Sequence, residues 1–244
     1  MPISTKHEQL AAALRKRISD GVYQDELPSD AALMSEFGYS RATVRQAFTA
    51  LENEGLIVAR SGMRRRVSRP QRWNWPMTTW EKAHNSSEDA WAASIREQGG
   101  EPSASVSVRI DVAEPDVAAA LQIEPGANVL VRARVRSVNG EPHQLADSYF
   151  PHWLMEQHPI FSQPGDLSAP GGLLASVGLP QARYLDEINA RMPTPDETQL
   201  LGVARGVPLI VHTRTGYHAD GRPLRHMITR MAADRVHVQY ELDA

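Results

Sequence analysis

The stretch that decides the fold is Leu27-Pro28-Ser29-Asp30, followed by Phe37-Gly38-Tyr39-Ser40-Arg41-Ala42-Thr43-Val44-Arg45-Gln46-Ala47 and by Leu51-Glu52-Asn53-Glu54-Gly55-Leu56. Ser29 or Asp30 can cap a short helix bearing Ala32, Leu33 and Phe37, which Gly38 stops. Ser40 caps the next, from about Arg41 to Glu54, whose apolar residues Val44, Ala47, Phe48 and Leu51 fall at i, i+3, i+4 and i+7. Two helices separated by a tight glycine turn predict a helix-turn-helix. Upstream, Leu10, Ala13, Leu14 and Ile18 make one apolar stripe of a helix that Gly21 ends. Downstream, Leu56–Arg60 reads as a strand, Ser61-Gly62 as a turn and Met63–Ser68 as a returning strand, so a hairpin wing follows the helices.

Charge supports a polyanion partner for this segment. The 244 residues carry a net charge of −3, but residues 1–72 stand at +4 and the remainder at −7. Within 38–72 eight arginines face only Glu52 and Glu54. Such a patch in a mildly acidic chain points to nucleic acid, the alternative being a solvated basic face. Hydrophobic residues at 41% and charged residues at 23% are ordinary for a globular chain. Cysteine is absent, which excludes disulfides, thiolate metal sites and cysteine nucleophiles and suits a reducing compartment. No apolar run approaches the roughly 20 residues that span a bilayer, and Met1–Lys6 lacks the apolar core of a signal peptide. A cytoplasmic location with no membrane partner is expected.

Residues 69–85, with Pro70, Pro76, Trp73, Trp75 and Trp80, read as a semi-rigid linker that docks aromatic side chains on a neighbouring surface. It separates a domain over 1–68 from another over 86–244. In the second, Asp89–Gln98 is predicted helical and Ser103–Ile110 an alternating strand. Helix Asp116–Leu121 precedes strand Val129–Val138, an Asn139-Gly140 hairpin turn and strand Gln144–Phe150. Helix Leu173–Val177, strand Tyr184–Met192, helix Pro195–Leu201 and strands Leu209–His218 and Pro223–Ala232 complete the order. The fold class is α+β, an antiparallel sheet with helices against it. Val117–Arg136 and Glu197–Arg214 repeat one pattern, which suggests a weak internal duplication.

The quoted N-terminal motif strongly resembles the winged helix-turn-helix of GntR-family transcriptional regulators. From about Ser86 onward the chain resembles the UTRA effector-binding domain of the HutC subfamily, itself similar to the chorismate lyase fold. Leu121-x-Ile123-x-Pro125-Gly126, Arg134-Val135-Arg136-x-x-Asn139-Gly140-Glu141-Pro142, Asp147-Ser148-Tyr149-Phe150-Pro151 and Asp220-Gly221-Arg222-Pro223 carry that resemblance. It implies a repressor that binds a double-stranded operator as a homodimer and responds to a small-molecule effector. A DNA-architectural or plasmid-maintenance binder, whose second domain only dimerises, is the competing reading, and a chorismate-lyase-like enzyme, which the attached helix-turn-helix argues against, is a third.

Arg41 and Arg45, at i and i+4 near a helix N-terminus, can present guanidinium forks to guanine edges in a major groove. Ser40 and Thr43 can reach phosphates beside them, and the resemblance places Gly62 at a wing tip in the minor groove. Ser29, Arg60, Arg64 and Arg65 complete the expected DNA-contacting set. The chain departs from the family at Ala31, where a basic residue is common, and at Arg64-Arg65-Arg66, which replace the usual wing glycine and hydroxyl.

For the effector, the resemblance implies ligand contact by Arg134 and Arg136 and by a loop serine, Ser168. The acid expected on the following strand aligns with Ala146, with Asp147 beside it, and another aligns with Arg225. An anionic or acyl ligand is therefore favoured over a neutral sugar, with Arg134, Arg136, Asp147, Tyr149, Ser168 and Arg225 as the expected site. Asp186 or Glu187 could supply a further carboxylate, and a strand acid in solvent is the alternative. His212, His218 and His226 lack metal-ligand spacing and read as core or rim histidines. No cofactor or metal is expected. No serine-hydrolase elbow, P-loop or dinucleotide fingerprint occurs, and Leu174-Ala175-Ser176-Val177-Gly178 lacks the first glycine of the elbow, so catalysis is not expected.

Overall fold

The computed structural model describes residues 4–59, 64–77, 89–167 and 172–241. Arg60 and Gly62 of the expected wing, the linker residues 78–85 with Trp80, and Ser168 with its loop therefore lie outside the described residues. The chain divides into two compact units: residues up to Gln71 with Met192–Pro208, and Arg72–Arg191 with the chain from Leu209 onward.

The first unit opens with helices α1 (Lys6–Ser19), α2 (Asp30–Phe37) and α3 (Arg41–Asn53). Each begins at a polar group that satisfies a free helix N–H. Glu8 accepts from the Thr5 N–H at 2.7 Å, Ser29 Oγ from Ala32 and Ser40 Oγ from Thr43, both at 3.2 Å. Gly38 closes α2 at φ +65°, a left-handed backbone that a side chain would strain. The predicted stripes meet: Leu10, Leu14 and Ile18 pack with Leu33, Val44, Phe48 and Leu51. At about 1.5–3 kcal/mol for each large apolar side chain buried, this cluster holds the three helices together.

The wing is shorter than the sequence suggests. Strands β1 (Ile57–Val58) and β2 (Arg66–Val67) pair antiparallel. The segment before α2 adds to them, since Leu27 N–H donates to Arg65 O at 2.9 Å and Val67 N–H to Asp25 O at 2.8 Å.

In the second unit strand β3 (Trp73–Pro76) precedes α4 (Ala90–Glu97), β4 (Pro102–Val112), α5 (Pro115–Leu121), β5 (Asn128–Val138) and β6 (Glu141–Pro151). Helix α6 (His152–Gln157), a 3-10 turn (Pro159–Ser162), α7 (Gly172–Ser176) and β7 (Arg183–Arg191) follow. After α8 (Pro195–Leu201), which belongs to the first unit, the second unit continues with β8 (Leu209–Tyr217), β9 (Pro223–Ala232) and β10 (Val236–Gln239). Six strands form one sheet in the order β4-β5-β6-β9-β8-β7. Its halves, β4-β5-β6 and β7-β8-β9, follow the same chain order and meet at β6 and β9, which is the architecture a duplicated β-α-β-β unit would give. The hairpin between β5 and β6 turns at Asn139 and Gly140, both at positive φ as a primed turn requires.

Residues 73–76 depart from the linker expectation. They form a strand that pairs in parallel with β10. Alternation explains it: Trp73, Trp75 and Met77 point inward and are buried, with Asn74 outward. Gly100 permits the seat of Trp73, because a Cβ there would stand 2.6 Å from the indole.

The sheet is covered on both faces. Helix α5 lays Val117, Ala118 and Leu121 on Val129, Val131, Ala133, Tyr149 and Ile228. On the other face Leu154, Phe161 and Leu174, from α6 through α7, pack on Leu130 and Phe150.

Candidate functional site

Two surfaces carry the chemistry. On the first unit, α3 presents Arg41 and Arg45 from its N-terminal turns, with side chains 67% and 63% exposed. Their nearest acid is Asp30, 3.9 Å from Arg41 Nε and 3.7 Å from Arg45 Nε. An exposed pair at that range is worth about 0–1 kcal/mol, less than the roughly 1–3 kcal/mol of a bidentate guanine contact, so Asp30 orients both arginines without holding them back. Ser40 Oγ lies 2.9 Å from Thr43 Oγ1. Ser29 and Ser40 use oxygen lone pairs for their caps, which leaves their hydroxyl protons to turn toward a phosphate. Exposed Gln46, one residue beyond Arg45, was not singled out from sequence.

Arg64 and Arg66 on the wing are exposed. Arg65 is not like them. Its Nε donates to Glu52 at 2.9 Å, its Nη1 to Asp30 at 3.2 Å, and its guanidinium stacks 4.1 Å from the Phe48 ring. Two carboxylates and an aromatic face hold it to α2 and α3, so Arg65 fastens the wing instead of extending toward a groove.

On the second unit the site follows from register. Directly paired residues on neighbouring strands share a face. Arg132, Ser148, Met227, Arg214 and Asp186 form one row; Arg134, Ala146, Thr229 and His212 form the next; Arg136, Gln144 and Met231 a third. Arg225, paired with Gly216, lies on the same face two residues from Met227. The expected residues Arg134, Arg136 and Arg225 are therefore brought together.

Asp147 and Tyr149 are not. Side chains alternate along β6, so Ala146 faces the arginines and Asp147 faces away. Asp147 instead forms an ion pair with Arg230, and Tyr149 packs in the α5 cluster. This corrects the expected effector set.

The arginines differ in how they are satisfied. Arg132, fully buried, donates from Nη1 to Phe161 O and Gln163 O at 2.8 Å and from Nη2 to Gly165 O at 2.6 Å. Arg136 donates to Asp89 at 2.5 Å and stacks on Trp91 at 4.9 Å; with the Gln144 amide turned so that its oxygen faces the donors around it, Arg136 Nη1 donates to that oxygen at 3.1 Å. Asp89 also caps α4, which explains why an acid sits there. Arg134 pairs with Asp166 at 3.1 Å.

Asp186, weighed from sequence as a ligand carboxylate, accepts from Arg214 Nε at 2.6 Å and Nη2 at 2.7 Å and lies 2.6 Å from His212 Nε2. Burial pushes its pKa up, but the hydrogen bonds from His212 and Arg214 outweigh it and keep the carboxyl well below its usual range. Trp75 from β3 stands edge-on to the His212 ring at 4.8 Å. The three histidines have separate partners: His212 meets Asp186, His226 lies 2.9 Å from Thr215 Oγ1, and His218 lies 3.1 Å from Asp220.

Residues 97–237 match the UTRA domain family and residues 6–67 match the gntR family of bacterial regulatory proteins. The chain belongs to the GntR family, HutC type. It is 30% identical over 236 residues to the HTH-type transcriptional regulator RB1450 of Rhizobium meliloti, covering 96% of this chain and 93% of that one. It is 25% identical over 238 residues to the HTH-type transcriptional repressor NagR of Bacillus subtilis, with 96% and 93% covered. A crystal structure of a GntR-family transcriptional regulator superposes with a TM-score of 0.66 at 25% identity, covering 99% of this chain and 98% of that one. PhnF from Mycobacterium smegmatis shares the fold, with a TM-score of 0.59 at 22% identity over 96% and 99% of the two chains. The chain is thus a DNA-binding transcription regulator with an effector-binding domain. Among the described residues no helix is long and apolar enough to cross a membrane.

Proposed function

We propose that this chain is a cytoplasmic, non-enzymatic repressor that binds a pseudo-palindromic operator as a homodimer and is released by a small anionic metabolite. The observation that carries the DNA half is the exposure of Arg41 and Arg45 on the first turns of α3, held only loosely by Asp30. Arg41 and Arg45 read guanine edges. Ser29, Ser40 and Thr43 bind phosphates beside them, with help from the free N–H groups at the helix start. Arg64 contacts the duplex from the wing, together with Arg60 and with Gly62 at its tip, while Arg65 keeps the wing in place. The effector rests on the arginine-bearing sheet face, against Arg134, Arg136 and Arg225, and Ser168 joins it from its loop.

Selection of random duplex DNA on the full chain at moderate salt tests this reading. The expected product is a consensus with two inverted half-sites about one helical turn apart or somewhat less. Enrichment without a consensus would favour an architectural binder.

A further inference from the structure

The acids of the arginine face are unequally shared. Arg134 has Asp166, Arg136 has Asp89 and Arg214 has Asp186. Arg225 has no carboxylate partner among the described residues. Its one hydrogen bond there runs from Nη2 to the thioether sulfur of Met227 at 3.1 Å, a weak acceptor, and its Nε is shut away from solvent with no partner. Burial, and then the like charges of Arg134, Arg214 and Arg136, lower its pKa to about 10. Arg225 is thus a cation that three other cations repel.

The surroundings of Arg225 form a cradle. In register, Arg225 pairs with Gly216 and Gly216 with Tyr184. The missing side chain of Gly216 is where the Gln181 amide lies, its Nε2 only 1.5 Å from the position a Cβ would take. A guanidinium, an amide and a phenol thus share one corner of the sheet. Arg214 stacks on the Tyr184 ring at 4.9 Å, so a second cation borders the corner with its own charge already balanced by Asp186.

We propose that Arg225, with Gln181 and Tyr184 beside it, is the anchor for the effector's anionic group, a carboxylate or phosphate oxyanion, in place of the β5 arginines. A planar guanidinium fork suits either oxyanion in a bidentate pair. Arg136 is saturated by Asp89, Trp91 and Gln144 and positions the face, while Arg134 is balanced by Asp166. Arg132 also lacks a carboxylate, but its terminal nitrogens are taken by the carbonyls of Phe161, Gln163 and Gly165, so among the described arginines of this face Arg225 is the one with both a charge to balance and terminal donors to offer a ligand. This rests on the proposal that the arginine face is the effector site.

The test measures the thermal midpoint of the full chain in sodium phosphate, acetate and chloride at constant ionic strength, with phosphate affinity by calorimetry. Phosphate and acetate are expected to raise the wild-type midpoint above chloride. Arg225→Gln should lose that rise and weaken phosphate binding at least about 10-fold, with its midpoint in chloride no lower than wild type, because an unbalanced charge has been removed. Arg225→Lys should keep part of the response, since charge remains and the fork is gone. Arg109→Gln, an exposed arginine paired with Asp111 at the sheet edge, should respond like wild type. A wild-type chain indifferent to phosphate and acetate, or an Arg225→Gln chain with the full response, overturns the assignment. So does a response abolished in Arg134→Gln but kept in Arg225→Gln. Selective DNA binding alongside a failed oxyanion test removes only Arg225; an oxyanion response without selective DNA binding removes the regulatory reading.

Discussion

Arg45 and Arg65 carry the same charge and approach the same carboxylate, Asp30, yet only one is free to move. Arg45→Ala is expected to cost about 1–3 kcal/mol of affinity for the selected operator with no change in folding; fluorescence anisotropy on wild type and variant measures it. Arg65→Met is expected to do the reverse, sparing DNA chemistry and weakening the fold. It should lower the stability of the first unit by about 1 kcal/mol, because two half-buried carboxylates lose their partner, and the unfolding midpoint in urea reads the loss. The sequence reading places Arg64 and Arg65 alike, since nothing local distinguishes a residue that faces Phe48 from its neighbour. The same limit applies at Asp147. Sequence proximity to Ala146 suggests a shared pocket, whereas a one-residue step along a strand reverses the face. His143 offers a pH test at this scale. Burial, and next the charge of Arg235, lower its pKa to about 4 from an ordinary 6.5. A depressed folded value means the neutral ring supports the fold fully above about pH 6.5 and the support is lost as pH falls through 4, up to about 3 kcal/mol. His143→Gln should flatten that part of the stability profile relative to wild type.

At the scale of elements, periodic and capped segments were legible. Helices α2 and α3 begin at the serines that cap them, and α8 and β9 match their expected bounds, because stripe, cap and stop agree there. The Asn139-Gly140 hairpin was equally plain. Elements whose stability comes from distant partners were not. Strand β3 lies in a Pro- and Trp-rich stretch that composition assigns to a linker, and only its pairing with β10, more than a hundred and fifty residues away in sequence, makes it a strand. Helix α6 and the 3-10 turn were missed likewise. Arg132 explains part of that region, since its guanidinium bonds to Phe161 O, Gln163 O and Gly165 O. Arg132→Met is expected to speed amide exchange over residues 161–167, read by mass spectrometry, more than in α5 on the opposite face. On the wing, replacing Arg64 and Arg66 by Ala should reduce the slope of log affinity against log salt by about 1 for each DNA phosphate that is no longer neutralised. An unchanged slope would leave both in solvent.

For the whole molecule, a basic N-terminal reader and an acidic effector domain divide recognition of DNA from recognition of metabolite. Domain order and function were legible because the reader's motif is local and specific. The effector's chemistry was only partly legible, because it depends on which arginines already own a carboxylate, and Asp89, Asp166 and Asp186 come from three separate parts of the chain. Regulation requires that the effector bind the DNA-competent and released states with different affinity, since equal binding shifts nothing. The most direct measurement is the anisotropy of the selected operator bound to the full chain, titrated with fractionated anionic metabolites. The account predicts that one fraction releases wild-type protein at constant ionic strength and that Arg225→Gln stays bound. Operator affinity unaffected by every fraction would contradict it.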